Sequence, residues 1–232
     1  MKCTTEGRTG ILGGQFDPIH LGHIETAEVA RRVLALDRVL LLPSRGSPHR
    51  AAPTRATDTD RLALVTLAAE NDAHLTPCDL ELASDAPSYT SVTLGRLRDK
   101  GHRRTQLFFI VGADAFAEIA TWHHYPAVLD DAHFVVVSRP GHPVANLVDT
   151  LPDLRPRMRP VTRGSEKLRV SADTAPAVFL IDAVTPDISS TDVRARVARS
   201  EPLAGLVPTN VAAYITHHRL YEPAAVASRL HD

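Results

Sequence analysis

Cysteine is nearly missing from this sequence: two residues in 232, Cys3 and Cys78, lie far apart and form no CxxC pair. That excludes a disulfide framework and fits a reducing compartment. An excess of positive charge is missing as well. Lys and Arg number 26 against 27 Asp and Glu, for a formal net charge of −1, so the chain lacks the basic footprint of a duplex nucleic-acid binder. Short Arg-rich patches, such as Arg103-Arg104 and residues 155–163, read as solvated faces or loops. No apolar run approaches the length of a membrane span, and the N-terminus carries no apolar h-region. A soluble cytoplasmic protein without nucleic-acid or membrane partners is expected. What is present is ordinary: 44% hydrophobic residues, enough for a full core in one large domain or two small ones.

The most informative stretch is Gly13-Gly14-Gln15-Phe16-Asp17-Pro18-Ile19-His20-Leu21-Gly22-His23. Thr9-Gly10-Ile11-Leu12 before it suits a buried first strand. Ile24, Ala27, Val29, Ala30, Val33 and Leu34 after it recur at helical spacing. The stretch is therefore a strand-to-helix turn, where an α/β sheet presents its ligand sites. Paired glycines let a ligand approach the backbone, and a helix start offers free N–H groups and a positive dipole end to phosphate. His20 and His23, three apart, share one face of the first helical turn. Zinc is the weaker reading of that pair, because no Cys or carboxylate beside it completes a ligand set.

Further along, Arg38-Val39-Leu40-Leu41-Leu42-Pro43, Gln106-Leu107-Phe108-Phe109-Ile110-Val111, residues 132–137 and Ala177-Val178-Phe179-Leu180-Ile181 read as buried parallel strands. Helices are expected over 58–71, from a Ser88 cap to about 100 with Gly101 as its stop, from Ser189 or Ser190 to about 199, and over 210–218. Residues 74–81 suit a short extended segment. Residues 142–176 are rich in Pro, Arg, Asp and Thr, which suggests one short helix near 145–151 and then a mobile loop. Strands alternating with helices predict a single Rossmann-like α/β domain over 8–222, a parallel sheet with helices on both faces.

Three further strings sit at strand ends or helix starts. Pro87-Ser88-Tyr89-Thr90-Ser91-Val92-Thr93-Leu94 opens a helix. Gly112-Ala113-Asp114, followed by Trp122 and by Arg139-Pro140-Gly141, lies at the ends of two strands. Ile188-Ser189-Ser190-Thr191-Asp192-Val193-Arg194 is a hydroxyl-rich helix start with Arg one turn on, a reasonable phosphate clamp. Each alone has a bland reading as a capped helix or a turn. Together with His20-Leu21-Gly22-His23 they resemble the HxGH nucleotidylyltransferase superfamily, and the full set resembles its nicotinate-nucleotide adenylyltransferase branch, over roughly residues 10–221. The chain departs from that pattern at Gln15, where Thr is usual, and at His123, where an aromatic such as Tyr is common.

The resemblance implies transfer of AMP from ATP to nicotinate mononucleotide in NAD biosynthesis, with Mg²⁺ held mostly by phosphate oxygens and water. It implies His20 and His23 as catalytic donors. It implies Gly13, Gly14, Gln15, Phe16, Gly112, Asp114, Ile188, Ser189, Ser190, Thr191 and Arg194 around ATP, with His49 and Arg50 in a loop closing over the phosphates. Ser88, Tyr89, Thr90, Trp122 and Arg139 are implied for the mononucleotide. A homo-oligomer is compatible with it. Two alternatives stand beside it: another nucleotidylyltransferase of the superfamily, acting on nicotinamide mononucleotide or pantetheine phosphate, and a non-catalytic nucleotide sensor on the same fold.

Overall fold

A computed structural model describes residues 7–45, 53–85, 87–161 and 174–223. In chain order its strands are β1 (Thr9–Gly14), β2 (Arg38–Pro43), β3 (Leu75–Pro77), β4 (Leu107–Gly112), β5 (His133–Val137), β6 (Met158–Val161) and β7 (Val178–Ile181). Its α-helices are α1 (Leu21–Leu34), α2 (Asp58–Ala69), α3 (Thr90–Asp99), α4 (Ala113–Phe116), α5 (Leu147–Thr150), α6 (Ser190–Ala198) and α7 (Thr209–His217), joined in places by short 3₁₀ turns. The strands form one sheet in the order β3-β2-β1-β4-β5-β7-β6, and every pairing is parallel.

The strands are apolar at successive positions because both faces of the sheet are covered, and alternate side chains feed two separate cores. Phe108, Ile110, Val135, Val137, Phe179 and Ile181 enter one core, with Ala27, Ala30 and Leu34 of α1, Leu64 of α2, Val193 of α6 and Ile215 of α7. Phe109, Val111, Phe134, Val136, Val178 and Leu180 enter the other, with Leu94 and Leu97 of α3, Phe116 of α4 and Leu147 of α5. The expected architecture, a Rossmann-like parallel sheet with helices on both faces, is the one found.

Two local expectations change. The N-cap of α3 is Tyr89, not Ser88. The Ser88 hydroxyl is engaged elsewhere: it accepts from the Arg45 N–H at 3.2 Å and bonds the Glu81 carboxylate. In the 142–176 segment, 3₁₀ turns and α5 lead into β6, a strand the sequence pattern does not announce. Its Pro160 has no N–H to give, which an edge strand tolerates.

The order of the strands positions the site. The chain runs from β1 to β2 on one side and later returns to β4 on the other, so β1 and β4 flank the point where the winding reverses. Open α/β sheets bind ligands at the carboxyl ends of such strands. Here those ends are Gly13-Gly14 and Gly112.

Candidate active site

At the end of β1, Gly13 is exposed. A Cβ there would meet nothing nearer than Phe109 Cζ at 4.0 Å, which leaves open space over its backbone for a ligand. Phe16 turns the chain with φ of +48°, and its buried ring stands edge-on to His23 at 5.0 Å. The Asp17 carboxylate, also buried, holds the turn in place. It accepts from the N–H groups of Arg55 at 2.8 Å and Ala56 at 3.0 Å and from the Tyr221 hydroxyl at 3.0 Å. Burial and the adjoining Asp17 charge push the Tyr221 phenol well above its ordinary range, so it remains a donor.

α1 begins at His20, a residue that caps poorly. The His20 side chain makes no cap bond of its own, the His23 ring takes the N-cap N–H, and the first turn carries no acid. Contrast α2, where the Thr57 hydroxyl accepts from Asp60 N–H and Asp58 and Asp60 sit in the first turn. No acid of α1 itself therefore balances the positive end of the helix. His20 is 2% exposed and its Nδ1 is enclosed without a partner among the described residues. Burial first, then the Arg139 charge, lower its pKa to about 4, against an opposing pull from Asp192. His20 is thus a neutral imidazole at pH 7. The His20 N–H donates to His23 Nδ1 at 3.3 Å, and the two rings stack at 3.7 Å. Gly22 leaves room for this arrangement: a Cβ on it would lie 3.1 Å from His20 Cε1 and Nδ1 and 3.4 Å from the Pro186 carbonyl, tight enough to push the His20 ring.

α6 closes the turn from the far end of the sequence. Ser189 caps it by accepting from Asp192 N–H. Ser190 donates to the Pro18 carbonyl at 2.9 Å. Arg194 donates to the Asp17 carbonyl at 2.6 Å and to the Thr191 hydroxyl at 3.1 Å. Ile188 is buried in the core beneath. At the end of β4, Asp114 keeps one buried carboxylate oxygen without a partner among the described residues. The stem of Arg139 passes over Gly112, with Cδ 2.6 Å from where a Cβ would stand. Arg139 thus stands close enough to His20 to act on its charge state.

The second group forms at α3. This helix, too, starts without a side-chain cap or an acid in its first turn. Tyr89 stacks on His123 at 4.4 Å, and Ser91 Oγ pairs with His123 Nδ1 at 2.9 Å. The departure at His123 is therefore filled by a flat ring that still packs on Tyr89. Trp122 is half-buried, edge-on to Phe109 at 6.0 Å and to Phe134 at 6.3 Å. His49 and Arg50 lie outside the described residues. Among the described residues no group of three or more His, Cys, Asp or Glu converges as a metal cage.

Sequence reasoning gave no role to Asp17, Tyr221, Glu81 or Arg61. Glu81 is buried under the α3 start, where Thr93 donates to it at 2.6 Å. Burial raises its pKa, while the bonds from Thr93 and Ser88 and the charges of Arg96 and Arg61 pull the other way. Only Asp17 had a local signal, an Asp-Pro inside the glycine-rich turn.

At the topological switch point the start of α1 holds a neutral His20 stacked on His23, within reach of the Arg139 charge, and Arg194 is bonded across the same turn. Comparison with known proteins agrees with that chemistry. Residues 11–196 match the family model described as cytidylyltransferase-like. A curated relative from Roseiflexus castenholzii, named "Probable nicotinate-nucleotide adenylyltransferase", is 38% identical over 219 residues, 94% of this chain and 99% of that protein. The chain belongs to the nicotinate-nucleotide adenylyltransferase family. A member from Shewanella pealeana with the same name is 35% identical, covering 92% of this chain and 95% of its own. The fold is also that of the Plasmodium falciparum nicotinic acid mononucleotide adenylyltransferase complexed with NaAD, with a TM-score of 0.66 at 16% identity, covering 93% of this chain and 98% of that one. This family is one of nucleotidyltransferase enzymes, and the alternative of a non-catalytic sensor has no support in these relatives.

Proposed function

We propose that this chain transfers the adenylyl group of ATP to nicotinate mononucleotide, giving nicotinate adenine dinucleotide and pyrophosphate in NAD biosynthesis. A 5′-phosphate oxygen of the mononucleotide forms a bond to the α-phosphorus. The bond from that phosphorus to the bridging oxygen of the β-phosphate breaks, and its electron pair leaves with pyrophosphate. The observation that carries the reading is the start of α1. There a helix N-terminus with no acid in its first turn and a neutral, buried His20 lie within reach of the Arg139 charge, with Arg194 held across the same turn.

Such a transfer relies on positioning and charge stabilisation rather than on a protein nucleophile. The backbone of Gly13, Gly14 and Phe16 lies under the triphosphate. His20 and His23 donate to the phosphates where charge builds up. Arg194, Ser190 and Thr191 hold the β- and γ-groups, and the two bonds Arg194 already makes leave further N–H donors of its fork available. A phosphate brought near His20 favours its protonated form, so the imidazole is better able to donate once substrate is bound. Asp114 and the Gly112 backbone face the adenosine, and Arg139 the mononucleotide. The start of α3 takes the nicotinate carboxylate, with Trp122 against the pyridine ring.

A divalent metal belongs to this chemistry, and the residues fit one that arrives on the nucleotide. The Asp17 carboxylate is committed to N–H and O–H donors, and the described residues converge on no cage. Mg²⁺ held by phosphate oxygens and water suits this donor set, and when bound it neutralises phosphate charge.

The test is pyrophosphate release from ATP and Mg²⁺ with nicotinate mononucleotide, nicotinamide mononucleotide or phosphopantetheine offered separately. Release is expected chiefly with the first. Release only with phosphopantetheine would move the chain to another branch of the superfamily.

A further inference from the structure

Arg61 is an arginine that a surface helix would ordinarily send into water. It sits on α2, yet its side chain is wholly buried. One end of the guanidinium donates to Asp58 Oδ1 at 2.6 Å. That partner is one turn back on the same helix and 44% exposed, so the ion pair could form at the surface without burying the arginine. The bond that requires burial is the other one. Nη1 donates to the carbonyl oxygen of Gln15 at 2.6 Å, while Nε is enclosed without a partner among the described residues. Burying a cation is costly, and here its one buried hydrogen bond goes to a peptide group in the glycine-rich turn, while its charge also pulls on the buried Glu81 carboxylate.

That peptide group has a second end. The carbonyl of Gln15 and the N–H of Phe16 belong to one planar unit, in which the two bonds point in opposite directions. Holding the oxygen down on Arg61 therefore turns the Phe16 N–H away from Arg61. A cation on the oxygen also polarises the N–H, because linked hydrogen bonds strengthen one another in a low-dielectric interior. Were this peptide turned over, it would present its oxygen in place of its N–H.

We propose that Arg61 is a positioning residue for nucleotide binding, fixing and polarising the Gln15–Phe16 peptide so that its N–H serves the phosphates. The inference rests on the reading that this turn takes the triphosphate, and it adds a residue that never touches substrate. It also gives Asp58 a definite effect: its carboxylate offsets part of the Arg61 charge and so weakens the site.

The two residues make a test with opposite signs. Calorimetric titration of inorganic tripolyphosphate and of ATP into the full chain is compared for wild type, Arg61→Met and Asp58→Asn. Arg61→Met should weaken both ligands by roughly tenfold or more, the scale of a lost charge-assisted bond. Asp58→Asn keeps an acceptor oxygen for Arg61 but removes the negative charge, so both ligands should bind tighter, by about threefold. In kinetics the larger change should fall on the KM for ATP, and the KM for nicotinate mononucleotide should move less, because Arg61 reaches the start of α3 only through its charge on Glu81. A merely structural Arg61 predicts the reverse for Asp58→Asn, weaker binding or none gained. That result overturns the proposal, and it does so even if Arg61→Met fails to fold. A wild-type chain that binds neither ligand removes the phosphate reading itself, and the proposal with it.

Discussion

The imidazole rings of His20 and His23 lie face to face, with centroids 3.7 Å apart and planes 28° from parallel. Two rings so close resist carrying two charges, and burial already holds His20 neutral with a pKa of about 4. His20 therefore offers a directed N–H donor rather than fixed charge, at a helix start with no acid in its first turn.

Replacing either histidine with alanine should lower turnover about 10²–10³-fold, the scale for losing one donor to developing charge. The KM for the mononucleotide should change far less. Steady-state kinetics on His20→Ala and His23→Ala decide this. Near wild-type turnover in either variant removes that residue from the catalytic role.

Arg194 joins α6 to the turn through Asp17 and Thr191. A lysine keeps the charge but loses the planar fork. Arg194→Lys should therefore raise the KM for ATP nearly as much as Arg194→Ala does. Normal ATP kinetics in the lysine variant would rule out a bidentate clamp.

Nicotinate and nicotinamide mononucleotide differ by a carboxylate against a neutral amide. α3 starts with no acid in its first turn and no side-chain cap, so its free N–H groups and dipole favour the carboxylate. Charge-assisted bonds of ~1.5–3 kcal/mol give an expected preference of at least roughly tenfold for nicotinate. Thr90 is the first residue of the helix, where proline fits and removes one donor, so Thr90→Pro should erode the preference. Trp122→Ala should weaken both substrates together. The ratio of kcat/KM for the two mononucleotides is the readout, and equality in wild type would contradict the assignment.

His133 gives a stability prediction independent of catalysis. It is fully buried, accepts from the Ala177 N–H at 3.1 Å and stacks on Phe108 at 4.7 Å. Burial lowers its pKa to about 4 in the folded chain. Unfolded, it takes up a proton near pH 6.5. Between those values the unfolded state binds more protons, so stability is full above about pH 6.5 and falls as pH drops towards 4. The loss from this group is about 3 kcal/mol. Chemical denaturation from pH 7 to pH 4 should show a steeper loss for wild type than for His133→Phe, and equal slopes would contradict it.

Much of this site was legible in the sequence because its parts are contiguous. His20, Gly22 and His23 come within four residues, and the hydroxyls of α6 precede Arg194 by one turn. The strands were legible because both faces are buried and the runs are unbroken. What escaped depends on partners distant in sequence. Arg61 looks like any helix arginine until Gln15 is placed beneath it. Tyr221 reaches Asp17 across nearly the whole chain. Ser88 looked like a cap because Ser caps helices, but the backbone of Arg45 and the carboxylate of Glu81 compete for its hydroxyl. β6 was hidden because an edge strand with exposed Arg159 and Pro160 carries no period to read.

The most direct test of the central claim is the identity of the product. Wild-type protein with ATP, Mg²⁺ and nicotinate mononucleotide should give nicotinate adenine dinucleotide and pyrophosphate in equal amounts, resolved by chromatography and mass. Formation of ADP in place of pyrophosphate, or no dinucleotide from folded wild-type protein, would contradict the account.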